Sequence, residues 1–385
     1  MISDPLAILA VLLGVICLAL HLVERYQWAR RVSAIMLIIF LSALCSNLGL
    51  IPTDAPLYNS IMDFAVPFAV CVILFTVSLS DVLSAGRPML GAFVLASVAT
   101  VVGVLVASLA LQGPLAETLG DESWKISGPY TGTYIGGSLN FVSLWDGLEI
   151  EDPDLFAAAN AVDNLTLFPL FALWMLVPVW LAGKWIPAEV WTVNKEVPDD
   201  QLPKQEKPPF DPVQIATLAF LAVAVMALSN WLKTTLIDPV MPELPGILIV
   251  TTLALIVAQF GPVRRLQGAW QIGDMAFYVF FAAVGALINF YQAVVLSPIL
   301  FVYVAIIMLV HFAVLYGVGW LLRMEVSVLT LASVATKGGP AFVPPVAEAK
   351  QWRHLVLSGI IIAMLGYAVG NYIGYGVAQL VRLVT

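Results

Sequence analysis

Charge is scarce in this chain: Asp, Glu, Lys and Arg make up 11% of its 385 residues, against 61% hydrophobic. Soluble domains carry about 25% charged and about 45–50% apolar residues. A water-soluble fold is therefore excluded, and the chain reads as an all-α polytopic membrane protein whose first partner is the lipid bilayer. Basic residues are scarcer still, 17 against 25 acidic for a net charge of −8. They form no patch with interleaved aromatics, which excludes nucleic acid as a partner. Cysteine is confined to Cys17, Cys45 and Cys71, each inside an apolar run without CxxC or Cys/His spacing, so neither a disulfide framework nor a metal centre is expected. No HExxH, Ser/His/Asp or Cys/His arrangement supports an enzyme, and no appended soluble domain supports signalling. Intramembrane enzyme and sensor are the minor alternatives, and no cofactor is expected beyond a coupling ion. Met1 to Asp4 lacks the basic residues of a cleaved signal. The first apolar run thus reads as a retained helix with its N-terminus outside.

What is abundant is long apolar sequence. A helix crossing about 30 Å of hydrocarbon needs roughly 20 apolar residues, and ten segments qualify: 5–23, 31–51, 58–80, 88–111, 153–182, 212–232, 244–260, 271–290, 297–322 and 353–382. Two further stretches, near 123–149 and 325–350, are interrupted by glycine pairs in TGTYIGGSLNF and SVATKGGPAFVPP. If both crossed, Lys and Arg would divide almost evenly between the two sides. If both are re-entrant, thirteen basic residues fall on one side and only Lys125, Lys233 and Arg382 on the other. The positive-inside rule selects the second arrangement: ten crossings in the inner (plasma) membrane, both termini outside. Residues 1–182 and 212–385 then repeat one series, four crossings, a glycine-pair element and a fifth crossing, in opposite senses. The stretch between them, 183–211, is rich in Pro, Lys and acidic residues and reads as a solvated cytoplasmic linker.

Backbone breaks at membrane depth survive only where protein or a water-filled cavity satisfies them. Paired breaks in inverted repeats point to a transporter's central site. The first element offers Thr131, Thr133, Gly136, Gly137, Ser138 and Asn140, and the second Thr336, Lys337, Gly338, Gly339 and Pro340, the last expected to open the following helix. Asp163, flanked by Asn160 and Asn164, falls near mid-membrane, where an ionisable residue is a functional hypothesis by default. Sodium could be held by Asn140, Asp163 and Asn164. Lys337 is the natural partner of Asp163, or receives a substrate carboxylate, or occupies the place of a coupling cation. His21, His311 and His354 look isolated, Asp63 and Asp274 look like residues serving helix N-termini, and the acidic run Asp146 to Asp154 reads as an outer loop at an entrance.

TGTYIGGSLNFVSL, AANAVDNLTLFPLFAL and ATKGGPAFVPPVAEAKQW followed by LVLSGIIIAMLGYAVGNYIG resemble the bacterial and plant membrane family called domain of unknown function 819 (YjcL-like). The resemblance covers nearly the whole chain apart from the linker. It implies kinship with sodium/bile-acid symporters and cation/proton antiporters, and the glycine pairs are similar to the vertices of 2-hydroxycarboxylate and glutamate/sodium symporters. By that resemblance the chain is an ion-coupled secondary transporter, driven by sodium or protons, of a small polar or anionic solute such as an organic anion or amino acid. Elevator-like motion and a homodimer are implied with it, and cation/proton antiport is the alternative within the class. The resemblance leads one to expect a neutral residue before the second glycine pair, where this chain has Lys337.

Overall fold

The structure, a computed structural model, describes residues 2, 4–27, 29, 34–78, 85–120, 122–181, 211–242, 244–288 and 290–385. Among these it is helical, without strands. The first half carries α1 (Pro5–Arg25), α2 (Ala34–Asn47), α3 (Pro56–Leu74), α4 (Arg87–Ala110), α5 (Ser127–Gly136), α6 (Ser138–Gly147) and α7 (Pro153–Leu181). The second repeats the series as α8 (Pro212–Leu232), α9 (Gly246–Ala258), α10 (Ala269–Leu287), α11 (Phe290–Leu321), α12 (Val326–Gly338), α13 (Val343–Ala349) and α14 (Val356–Val384). The expected linker lies outside the described residues apart from Asp211.

Local chemistry explains where the halves begin. Asp4 precedes Pro5 and its Oδ2 accepts the Ala7 N–H at 2.9 Å, while Asp211 precedes Pro212 and its Oδ1 accepts the Val213 N–H at 2.9 Å. In both, the aspartate satisfies an orphan N–H and the proline occupies the position where a missing N–H costs nothing.

Eight helices are long and apolar enough to cross a membrane, and the protein is a multi-pass membrane protein. Two of the ten expected crossings carry shorter helices among the described residues. The segments 31–51 and 244–260 are helical over Ala34–Asn47 and Gly246–Ala258, 14 and 13 residues, about 20 Å each at 1.5 Å per residue. The first ends in a turn at Gly49, where φ is 75°; the second starts after Pro245 and stops before Gly261-Pro262. They occupy the same place in each half.

Packing sorts the helices into two sets. In one, α3 lies against α10, and α1, α2, α8 and α9 pack around that pair. In the other, α4 lies against α11, with α5, α7, α12 and α14 around it. Small residues allow the closest approaches: Gly273 faces Ile73, Gly285 faces the Ile39 backbone, and Gly103 faces the Ile307 backbone. This is the usual means of bringing helices together where lipid provides no hydrophobic drive between them.

Candidate functional site

Both glycine-pair elements are hairpins. In the first, α5 and α6 run antiparallel. Gly128 faces Leu148, Gly132 faces Leu144 and Asn140, the Tyr130 and Phe141 rings meet at 5.8 Å, and Lys125 at the start reaches the Glu149 carbonyl at 3.4 Å. The turn is Gly137, at φ 83°, a left-handed conformation that glycine adopts without steric cost. Each arm has 10 residues, about 15 Å, or half a membrane. The second hairpin turns at Gly339, φ 67°, and comes back as α13. Pro340 lies in this turn, and α13 starts at Val343. The proline therefore does not open the helix, because the chain needs residues 339–342 to reverse.

Helix α14 acts as a ruler for the two hairpins. Near its start Gly359 packs on Val343 and Leu331; at its middle Gly366 packs on Ile135 and Gly136, and Tyr367 touches both Gly137 and Gly339; further on, Gly374 packs on Gly128. The hairpins therefore approach from opposite ends of α14, and their turns meet at Tyr367. All ten residues of α5 are buried, so its polar backbone break lies within protein, as an apolar medium demands.

A cavity of about 180 Å³ lies where the turns meet. Gly137 and Ser138 line it from the first hairpin, Lys337, Gly338 and Phe342 from the second, Asp163 from α7, Trp270, Asp274 and Tyr278 from α10, and Tyr367 from α14. Asp163, 6% exposed, accepts a hydrogen bond from Thr133 Oγ1 at 3.3 Å. The Tyr134 hydroxyl is close enough to Asp163 to interact electrostatically but lacks hydrogen-bond geometry. The start of α6 adds the positive end of a helix dipole. The cavity is thus lined by two aspartates, one lysine, a helix N-terminus and aromatic rings, a set able to hold opposite charges on one small solute.

Other expected site residues sit nearby but serve the helices. Thr131 Oγ1 donates to the Ser127 carbonyl at 2.7 Å, Thr336 Oγ1 to the Ser333 carbonyl at 3.1 Å, and Asn164 Nδ2 to the Asn160 carbonyl at 2.8 Å. Asn140 Nδ2 donates to the Tyr367 carbonyl at 3.1 Å and Asn371 Oδ1 at 2.9 Å, and Asn371 continues to Thr251 at 3.0 Å. That chain ties α6 to α14 and α9. Asn140, Asp163 and Asn164 therefore each have separate partners.

Three expectations are corrected. Lys337 and Asp163 line one cavity without forming an ion pair. Among the described residues the ion pairs are Lys125–Glu122 and Lys233–Asp238, and the Lys337 amine turns instead toward Thr100 Oγ1 at 3.4 Å and both ring nitrogens of His311 at 3.0 Å. His311 is thus not isolated: fully buried, its ring also meets Thr100 Oγ1 and Ser333 Oγ, both at 3.1 Å. The general rule for intramembrane ionisable residues would have found it. Asp63 and Asp274 cap nothing; the positions before α3 and α10 are Ala55 and Gly268, neither with a side-chain cap. Both aspartates lie beyond the first helical turn, where the dipole no longer decides their position. Tyr367 carried no signal, since aromatic residues are common in any apolar helix, and Trp270, at the start of its span, reads from sequence as an interfacial anchor but lines the cavity.

A second cavity, about 750 Å³, is lined by Asp63, Lys125, Asp146, Glu149, Lys233 and Arg382 among others. It contains all three basic residues that the charge count assigns to the outer side. Between this vestibule and the central cavity lies a buried aromatic cluster. Phe156 contacts Trp145 at 5.1 Å, Phe280 at 5.6 Å, Phe141 at 5.8 Å and Phe281 at 6.3 Å. Helix α6 itself orders the compartments: Ser138, Leu139 and Val142 line the central cavity, Phe141 and Trp145 belong to the cluster, and Asp146 and Gly147 line the vestibule.

Comparison with known proteins follows the same extent. The family model described as "Protein of unknown function (DUF819)" matches residues 7–384. The uncharacterized membrane protein YjcL of Bacillus subtilis (strain 168) is 28% identical over 372 residues, covering 92% of this chain and 91% of its own.

Proposed function

Because the chain belongs to the DUF819 family, whose relative YjcL is described only as an uncharacterized membrane protein, we propose from its own geometry that it is an ion-coupled secondary transporter of a small organic anion or amino acid, a carrier and not an enzyme. One observation carries this reading: two half-membrane hairpins entering from opposite ends bring their glycine turns to one cavity that also holds Asp163, Asp274 and Lys337. A site at mid-depth, built from discontinuous helices, is the arrangement by which inverted-repeat carriers expose one ligand to either side in turn.

In this reading α4–α7 and α11–α14 form the moving unit and α1–α3 and α8–α10 the scaffold, as their packing in two sets supports. A carboxylate of the solute takes Lys337 and the N-terminus of α6; an ammonium or the coupling cation takes Asp163 and Asp274. Occupation of both halves offsets charges that are expensive to leave exposed in a desolvated space, so solute and ion favour the translocating state together. The vestibule with Lys125, Lys233 and Arg382 faces outward, both termini lie outside, and the aromatic cluster closes the outer path. A homodimer is part of the same proposal.

Reconstitution in liposomes tests it. A panel of radiolabelled amino acids and small carboxylates should yield at least one that accumulates under a sodium or pH gradient, and Asp163→Asn should reduce accumulation by about tenfold or more, the scale of a lost coupling. Absence of accumulation and of counterflow across the panel under both gradients overturns the reading. The two carboxylates in one cavity also support cation/proton antiport; an internal pH dye responding to sodium or potassium without organic solute would select it.

A further inference from the structure

Lys337 stands between two different surroundings. One side of the residue lines the central cavity; the amine itself rests against a buried polar group made of His311, Thr100 and Ser333, which the transport reading leaves without a role. Within that group Thr100 Oγ1 meets His311 Nδ1 at 3.1 Å, Ser333 Oγ meets His311 Nε2 at 3.1 Å, and Trp174 Nε1 donates to Ser333 Oγ at 3.2 Å. The amine is 3.0 Å from both imidazole nitrogens. Two cations at that separation, in a site where Lys337 is 4% and His311 0% exposed, repel too strongly to coexist. The pair therefore holds one positive charge at most.

We propose that Lys337 and His311 form a single-proton site and that the proton is the coupling ion of this transporter, taken up from and returned to the central cavity through the Lys337 amine. The proposal rests on the transport reading above and names its ion, so that Asp163 and Asp274 take the ammonium of the solute and not a coupling cation. His311 is the positioning residue, since it does not line the cavity and touches Lys337, which does. With the proton on, Lys337 offers an ammonium to a carboxylate of the solute; with the proton off, the cavity keeps its acidic groups and loses that attraction. The titratable groups facing the pair are Tyr134 from α5, whose ring centroid is 6.0 Å from the amine, and, across the cavity, Asp163 from α7, Asp274 and Tyr278 from α10 and Tyr367 from α14. Helix α4 contributes Thr100 and no titratable group to the contact, and α12 contributes no titratable residue besides Lys337.

The chain has three histidines, so ring-nitrogen magnetic resonance of histidine-labelled protein in detergent can follow His311, assigned by its loss in His311→Gln. The midpoint of its pH response should differ between wild type and Lys337→Met by about one pH unit or more, a tenfold change in proton affinity. Identical midpoints overturn the shared site, whether or not any solute is transported. In liposomes, the panel members that wild type accumulates should do so under a pH gradient, with movement of an internal pH dye. His311→Gln should shift the pH profile of uptake, and Lys337→Arg, which cannot release its proton, should abolish the dye signal. Accumulation driven by sodium alone, with a pH profile unchanged in His311→Gln, overturns the proposal while leaving the transporter reading intact. No accumulation at all sinks the transporter reading and, with it, the coupling role, while the resonance result still decides the one-proton site.

Discussion

Replacing Gly103 by alanine probes the contact that holds the polar group together. A Cβ built on Gly103 would lie 2.7 Å from the Ile307 carbonyl oxygen, 3.2 Å from its Cα and 3.3 Å from its carbonyl carbon. All three are backbone atoms, so no side-chain rotation relieves the overlap. To reach an ordinary contact of 3.4 Å, α4 and α11 must part by roughly 0.7 Å, in a close-packed interior that resists such shifts. Thr100 lies one turn before Gly103 and His311 one turn after Ile307, so the 3.1 Å hydrogen bond between them stretches past its useful range. Overpacking of this kind costs about 1–3 kcal/mol. Gly317, on α11, has nothing within 4 Å of its built Cβ. Alanine there should be neutral or stabilise by about 0.5–1 kcal/mol, because glycine loses more backbone freedom on folding. Apparent unfolding temperatures in detergent should rank Gly317→Ala at or above wild type and Gly103→Ala clearly below it, with a changed His311 ring signal in the latter. Equal stability of the two variants would refute the close helix contact and the dependence of the polar group on it.

In a background with Cys17, Cys45 and Cys71 replaced by serine, Ser138→Cys should react with a membrane-impermeant maleimide from the side opposite Lys125, Lys233 and Arg382. Equal labelling from both sides would show that the aromatic cluster is no barrier. Adding Phe156→Ala to that variant removes a ring with four aromatic neighbours and should admit the reagent from the vestibule side as well, at a stability cost of about 3–5 kcal/mol. At the exposed start of α8, hydrogen bonds from the Gln214 side chain and the Val213 N–H hold the Asp211 carboxyl below its usual range. Its folded value therefore lies below the unfolded one of about 3.9, so its contribution is present above that pH and fades as pH falls through the folded value. Asp211→Asn keeps the cap and should flatten this part of the acid limb in a plot of unfolding temperature against pH; an unchanged limb would count against the cap.

The hairpins were legible because glycine pairs interrupt apolar runs and the sparse basic residues sort cleanly only if those runs fail to cross. Asp163 was legible because a carboxylate amid 61% apolar sequence has few innocent explanations. Its relation to Lys337 was not, since two charges from distant helices have several possible neighbours and sequence spacing ranks none of them. The shortness of α9 escaped notice because hydropathy records how apolar a segment is, while helix length also depends on the flanking turns.

The sequence by itself determined that this protein lives in lipid, that its halves carry one series of helices, and that its backbone breaks at Gly137 and Gly339. These follow from local chemistry: apolar length, proline and glycine geometry, and the cost of burying charge. Only the tertiary structure decided that α14 brings the two breaks to Tyr367, that Asp274 joins Asp163 in the cavity, and that Lys337 turns to His311. Those outcomes depend on which helices lie side by side, and the close contacts of glycines such as Gly103 and Gly366 with partners some 200 or more residues away settle that through packing.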